Sequence, residues 1–494
     1  MEPSIIVRAL DHAHRTALIT PEGRFTYTEL LDASARVAAA LLDGADDLHE
    51  ARVCFLTPPG LHYVATQWGI WRAGGVAVPL AVSYPAAELE YALHDADPAV
   101  VLAHPEFAEL LAPLVLGQGR RFLLTDAALA AEPCRLPAVA EGRRALMVYT
   151  SGTTGRPKGV VTTHANLRAQ VTSLVEAWEW SKDDRTLLVL PLHHVHGIIN
   201  VLTSALWAGA ACHILPRFDA DATWRAIEDG DLTLFMAVPT VYRRLIAEWE
   251  AATPERQRRM SEGCRRMRLM VSGSAALPIA TLERWREMTG HTLLERYGMT
   301  EIGMALSNPL RGDRRPGFVG TPLPGVEVRR VGEDGGLAAS DAPGEVEVRG
   351  PTVFLEYWRR PEATAEAFHD GWFRTGDVAV VEGGYYRLLG RMSVDIIKSG
   401  GYKISALEIE EVLRTHPSIV ECAVVGVEDA EWGERICVAV EADGAAEISV
   451  SELREWAREQ LAPYKIPREL RCVGALPRNA MGKVTKQEVR ALFL

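Results

Sequence analysis

Short apolar runs and longer stretches of 3.6-residue period alternate through the first 390 residues. That pattern predicts buried strands covered by amphipathic helices, an α/β layered arrangement. Val53-Cys54-Phe55-Leu56 reads as a strand, Leu61 to Trp71 as the helix after it, and Gly75 to Leu80 as the next strand. Val100-Val101-Leu102-Ala103 and Leu187-Leu188-Val189-Leu190 read as further buried strands. Between Arg349 and Arg391 the texture changes to Gly, aromatic and charged residues, which predicts a small β-rich portion of turns, short strands and loops. Past Arg391 a smaller unit begins. Ile404–His416 is expected to be a helix, Ile419–Val427 and Ile436–Val440 strands, and Ser449 with Glu452 a capping box opening a second helix. The fold class is therefore α/β. Residues 1–390 are expected to form a large N-terminal layered domain, and residues 391–494 an α+β C-terminal domain on a short linker, so that the two share a cleft rather than swing freely.

Charge narrows the classes of partner. Fifty-three basic against 65 acidic residues give a formal net charge of −12, which argues against a nucleic-acid or anionic-membrane binder. The start Met1-Glu2-Pro3-Ser4 lacks a basic leader region, and the apolar runs are too short and too often charged for a spanning helix. Seven scattered cysteines without a C-x-x-C pair predict neither disulfides nor zinc, and a cytoplasmic protein, monomer or homodimer, is expected.

Only seven of the 53 basic residues are Lys: Lys158, Lys182, Lys398, Lys403, Lys465, Lys483 and Lys486. Where Arg has taken nearly every exchangeable basic position, a surviving Lys marks a place that needs a compact ammonium. Lys182, in the polar loop Ser181-Lys182-Asp183-Asp184, is the exception. Lys158 closes the string Val148-Tyr149-Thr150-Ser151-Gly152-Thr153-Thr154-Gly155-Arg156-Pro157-Lys158-Gly159-Val160. Its glycines admit close approach of polyphosphate, its hydroxyls and N–H groups donate, and Lys158 offsets phosphate charge. The spacing is not that of a P-loop NTPase.

This string resembles the hallmark of the adenylate-forming superfamily: acyl-CoA synthetases, peptide-synthetase adenylation domains and luciferases. Further motifs of that superfamily follow in order over essentially the whole chain. They are Leu190-Pro191-Leu192-His193-His194-Val195-His196-Gly197, Tyr297-Gly298-Met299-Thr300-Glu301, Arg374-Thr375-Gly376-Asp377, Leu389-Gly390-Arg391, Ser399-Gly400-Gly401-Tyr402-Lys403 and Pro477 to Lys483. The resemblance implies activation of a small carboxylic acid by ATP and Mg²⁺ as an acyl-adenylate, then transfer to the thiol of CoA. It implies phosphate binding by Thr150, Ser151, Gly152, Thr153, Thr154, Gly155 and Lys158. Gly273-Ser274-Ala275 and Tyr297-Gly298-Met299 would flank adenine, Thr300 would contact the α-phosphate, and Glu301 would hold Mg²⁺. Asp377 would take the ribose hydroxyls and Arg391 the ribose or phosphate. Lys483 would stabilise charge on carboxylate, α-phosphate and pyrophosphate together. His194 would gate the thiol channel, and Ser399, Gly400, Gly401 and Trp432 would meet CoA, with partial burial of Trp432 in the small domain as the plainer alternative. The resemblance further implies that the C-terminal domain is mobile and rotates about a hinge at Arg391, and one departure touches it: Gly390-Arg391-Met392-Ser393-Val394-Asp395 carries its Asp one residue late.

The residue before Tyr297 is Arg296, where the superfamily commonly has a small or neutral one. A guanidinium in a pocket wall is expensive to desolvate unless an anion arrives. With the three histidines of residues 193–196, this resembles the malonyl-CoA synthetase branch, in which Arg296, helped by His196 and Ser272, would grip a second carboxylate on a short diacid, malonate or methylmalonate. The alternatives are pairing of Arg296 with Glu295 or Glu301, a monocarboxylate substrate, a carrier-protein thiol in place of CoA, or an inactive binding module.

Overall fold

The computed structural model describes residues 2–117, 119–150, 157–400, 402–442, 448–479 and 483–494, with the Lys403 side chain outside the description. Among the described residues the strands form four sheets. One has seven strands in the order Glu356–Tyr357, Lys158–Thr163, Arg144–Thr150, Val76–Pro79, Arg52–Leu56, Val100–Ala103, Arg121–Leu124. A nine-stranded sheet runs Thr321–Pro322, Gly303–Ser307, Leu294–Met299, Leu269–Ser272, Leu234–Ala237, Arg185–Leu188, Ala211–Ile214, Thr16–Thr20, Gly23–Thr26. Its six central strands are mutually parallel, and both of its edges are antiparallel. Parallel strands are covered on both faces, which is why Leu234–Ala237 and Leu269–Ser272 read as unbroken buried runs. Helices pack between and around these sheets, and the largest core gathers Tyr27, Trp71, Trp178 and Ile198. A second core stacks Trp224 on Trp285 at 5.7 Å.

The third sheet is the β-rich portion, and here the short-strand expectation is corrected. Trp372–Glu382 is an eleven-residue strand paired with Gly344–Arg349 on one side and Tyr385–Arg391 on the other. Its first half, Trp372 to Asp377, breaks the apolar run with Arg374, Gly376 and Asp377, which disguised it. The fourth sheet belongs to the C-terminal residues: Tyr402–Ser405, Ile396–Ser399, Gly433–Ala442 and Ile419–Asp429, with Glu469–Val473 parallel to Gly433–Ala442. Both its faces are covered, one by Leu413 and Leu453, the other by Val489 and Phe493.

Local chemistry sets the element ends. The Ser449 hydroxyl accepts the Glu452 N–H at 3.2 Å while the Glu452 carboxylate accepts the Ser449 N–H at 2.9 Å, the capping box expected there. The helix expected over 404–416 spans only Ala406–Leu413. Tyr402–Ser405 is a strand in a hairpin with Ile396–Ser399, and Ser405 caps the helix by accepting the Glu408 N–H. The strand expected over 187–190 lies at Arg185–Leu188, where its ladder with Ala211–Ile214 places it. No described helix is long and apolar enough to cross a membrane.

Candidate active site

Ligand sites in open parallel sheets lie beyond the carboxyl ends of the strands. Ser272 ends its strand there, next to Leu294–Met299 with Ser272 opposite Glu295, and Gly273 and Ser274 follow directly. On the seven-stranded sheet, Thr150 and Lys158 face each other as the last paired residues of two antiparallel strands. Ser151, Gly152, Thr153, Thr154 and Gly155 lie outside the described residues.

Lys158 sits over the ring of Tyr357, 4.9 Å from its centre. The hydroxyl of the same tyrosine donates to Glu301 Oε1 at 2.9 Å. Glu301 is buried, and burial raises its pKa, opposed by its own backbone N–H, by Tyr357 and by the charges of Arg391 and Lys158. Glu301 makes no ion pair with a described residue, which leaves its second oxygen for a cation. Among the described residues no cluster of three metal-type side chains exists. A single buried carboxylate fits Mg²⁺, which keeps several waters and takes its remaining oxygens from substrate phosphates. Thr300 opens the hairpin turn between Leu294–Met299 and Gly303–Ser307, directly before Glu301, and is half-buried.

Asp377 is the other anchored carboxylate. Its Oδ2 accepts the Tyr297 hydroxyl at 2.6 Å and its Oδ1 accepts Arg391 Nε at 3.0 Å. Thr375 Oγ1 accepts the Asp377 N–H at 3.1 Å and fixes the backbone beneath it. Tyr297, Gly298 and Met299 lie on one strand, and Gly298 and Met299 are half-buried beside it, while Ala275 is exposed across from the buried Gly273.

Arg296 is 2% exposed yet makes no ion pair with a described residue, neither with Glu295 nor with Glu301. Its chain neighbours Glu295 and Tyr297 point to the face opposite its own, as strand alternation requires. The guanidinium lies over Gly273, where a Cβ would sit 2.6 Å from Cζ, so only glycine leaves it room. Among the described residues its one hydrogen bond is a long one, Nη2 to Ser274 Oγ at 3.5 Å, and Nε is buried with no partner there. Burial alone pulls its pKa down to about 9. His196, whose ring feels the Arg296 charge, also has a buried unpartnered atom, Nε2. Ser272 Oγ is buried and unpartnered too, but Ser272 pairs in register with Glu295 and so lies on the sheet face opposite to Arg296, and the expected role for it beside that guanidinium is not met. His196 Nδ1 contacts Ser274 Oγ at 3.2 Å. Its pKa is held well below the usual imidazole range by burial first and then by Arg296, so the ring is neutral. His196 opens a π-helix, His196–Thr203, whose wide turns are held by Thr203 Oγ1 donating to Ile198 O at 2.6 Å and Ser204 Oγ to Ile199 O at 3.0 Å.

His194 packs against His193 at 4.0 Å with Nε2 unpartnered, and burial, His193 and Lys483 all lower its pKa. Lys483 is exposed, and its pKa is lowered, by desolvation first and then by the charges of Arg296 and Arg391, against Asp377, which raises it. The C-terminal lysine is thus brought to the pocket of Arg296 and Asp377. Ser399 is buried, and the Gly400 N–H donates to Trp432 O at 2.9 Å; Gly401 lies outside the described residues. The Trp432 ring is covered by Arg468, 3.6 Å from its centre, which accounts for its half-burial.

Tyr357 carries no signal in the sequence as a site residue. It lies in the two-residue strand Glu356–Tyr357, and only pairing with Val160 and Val161 sets it beside Lys158. Thr375, inside a motif, could have been read from the hydroxyl two residues before Asp377.

A layered fold with a phosphate-type hairpin, two anchored carboxylates and a lysine delivered by a separate unit defines an ATP-using, acid-activating ligase. The chain belongs to the AMP-binding enzyme family: residues 7–358 match that family, and residues 408–483 match its C-terminal domain. It is an AMP-forming acyl-CoA synthetase with ATP, Mg²⁺ and CoA as its reactants and cofactor. It is 48% identical over 522 residues to the mitochondrial malonate–CoA ligase ACSF3 of Homo sapiens, covering 98% of this chain and 91% of that protein. It is 42% identical over 530 residues to the malonate–CoA ligase of Arabidopsis thaliana, covering 98% of this chain and 87% of that one. The crystal structure of ATP-bound MatB from Rhodopseudomonas palustris matches with a TM-score of 0.92 at 35% identity, covering 100% of this chain and 99% of that chain. The apo form of the same protein matches with a TM-score of 0.82 at 36% identity, with the same coverage.

Proposed function

We propose that this enzyme joins malonate to CoA in two steps at the expense of ATP, releasing AMP and pyrophosphate. In the first step one carboxylate oxygen of malonate attacks the α-phosphorus, and the bond to pyrophosphate breaks. In the second, the CoA sulfur attacks the acyl carbon, the bond to AMP breaks and the thiol proton is released.

The observation that carries the choice of acid is Arg296. A buried guanidinium with no carboxylate partner among the described residues has its desolvation uncompensated until an anion enters. The free carboxylate of malonate supplies it, accepting from Arg296 and reaching His196. A monocarboxylate leaves both unpaired.

The other residues follow from charge. Glu301, with the ATP phosphates, would hold Mg²⁺, which supplies neutralisation of phosphate charge. Lys158 would meet the outgoing phosphates. Lys483 would bind carboxylate, α-phosphate and pyrophosphate oxygens more strongly in the transition state than before it, since all three gain or shift charge there. Asp377 would accept the ribose hydroxyls while Tyr297 and Arg391 hold it in place. For the second step the C-terminal unit would present Ser399, Gly400 and Gly401 to pantetheine, with His194 at the entrance.

The test is CoA-dependent AMP release across acetate, propionate, malonate, methylmalonate, succinate and hexanoate, with thioesters identified by mass. The expected result is malonate well ahead of every monocarboxylate. Acetate or hexanoate turned over as well as malonate would reject this reading.

A further inference from the structure

Lys486 is one of the few lysines the chain retains, and no motif gives it a role. It is the first residue of the helix Lys486–Ala491, where a cation opposes the helix dipole. Its side chain is nonetheless 13% exposed. Such a position is tolerated only with strong compensation. The ammonium is ion-paired with the buried Glu410, donates to Val424 O at 2.6 Å and lies 3.4 Å from Asp395 Oδ1.

Asp395 leads back to the site. Its Oδ2 accepts the Arg391 N–H at 3.0 Å, its own N–H donates to Arg391 O at 2.7 Å, and its O accepts the Ala406 N–H at 2.7 Å. The turn this requires explains Gly390, at φ +121° with a Cβ position only 2.4 Å from the Asp395 Cβ. Arg391 in turn holds Asp377, which holds Tyr297. On the other side of Lys486 the chain is pinned by the Thr485 N–H to Pro477 O at 2.9 Å and the Asn479 N–H to Lys483 O at 2.9 Å. Lys483 donates its own N–H to Asn479 Oδ1 at 3.1 Å.

We infer that Lys486 is a positioning residue for acid activation. By clamping Asp395 and Glu410 it sets the Lys483 segment and the Arg391–Asp377 pair in one frame, so that the catalytic ammonium and the ribose carboxylate keep a fixed separation. This rests on the roles proposed above for Lys483 and Asp377.

The two half-reactions separate a positioning role from a scaffold role. Activation is read by malonate-dependent ATP–pyrophosphate exchange, and transfer by thioester formation from synthetic malonyl-adenylate and CoA. Lys486→Met is expected to slow exchange at least tenfold, in kcat rather than in the KM for malonate, and to leave transfer within about twofold. Added to Lys483→Ala it should cost nothing more, because both act through one ammonium. Wild-type exchange in Lys486→Met, equal loss in both half-reactions, or an additive double variant would each overturn the inference. If Lys486→Met does not fold, Asp395→Asn decides. It keeps the Lys486–Glu410 pair, and exchange should fall several-fold in the wild-type background and not at all in Lys483→Ala; unchanged exchange overturns the inference. Normal exchange in Lys483→Ala itself would instead reject the reading of the site.

Discussion

Tyr357 joins two groups that the sequence keeps 143 positions apart, its hydroxyl on Glu301 and its ring under Lys158. If that hydroxyl orients the Mg²⁺ carboxylate, Tyr357→Phe loses one hydrogen bond to a buried acid, typically ~1.5–3 kcal/mol when charged. The expected outcome is a rise of about tenfold or more in the Mg²⁺ concentration for half-maximal activity, measured by titration at saturating ATP and malonate. No change would free Glu301 from that role. Tyr357 was illegible because its part depends on one tertiary strand pairing. Lys483 and Arg296 were legible for the opposite reason. Each is the unexpected group for its setting, a Lys in an Arg-rich chain and a guanidinium in a pocket wall, and such misfits show in a single line of letters.

The strand Leu294–Met299 places Arg296 in the pocket and turns Glu295 away from it into the protein. Glu295 Oε1 accepts the Leu277 N–H at 3.2 Å and Oε2 has no partner. Burial pushes its pKa up to about 8, relieved by Leu277 and aggravated by Glu411 of the C-terminal unit. A carboxyl whose pKa is raised on folding holds its proton in the native state while the unfolded chain loses it. Stability therefore falls as pH rises from about 4.5 to about 8 and levels off above. Glu295→Gln keeps the acceptor for Leu277 and removes the titration. It is expected to leave melting unchanged at pH 4.5 and to gain more than about 1 kcal/mol at pH 8.5. Equal effects at both pH values, in a calorimetric series, would contradict this. Elements were read best where one face is buried and uninterrupted, as at Val100–Ala103, which forms a strand over the expected residues. The helix at 404–416 was read too long because Ile404 fits either a helix face or the hairpin strand it occupies, and only the pairing with Ile397 decides.

At the scale of the molecule, the two parts meet at Ile279, whose N–H donates to Glu411 at 2.8 Å, and at Arg243 with Glu421, 3.3 Å apart. In this arrangement Lys483 faces the pocket and the Ser399–Trp432 region does not share in the Arg296 cluster. The two steps would then call on different faces of one small unit. Lys483→Ala should lower ATP–pyrophosphate exchange by at least a hundredfold, the scale of removing one transition-state charge contact. Thioester formation from malonyl-adenylate should survive nearly intact. Parallel losses would mean that Lys483 serves both steps or only the fold. The order of motifs made a two-part enzyme legible from sequence, but which face meets the cleft is set by contacts between distant segments.

The choice of malonate rests on an unpaired buried charge, so the most direct measurement is the ratio of kcat/KM for malonate to that for propionate, in the wild type and in Arg296→Met. If Arg296 grips the distal carboxylate, two charge-assisted hydrogen bonds at ~1.5–3 kcal/mol each predict that the substitution lowers the ratio by about 10² to 10⁴, with propionate unchanged or improved. A ratio that stays the same, because malonate survives or because both acids fall together, would contradict the assignment.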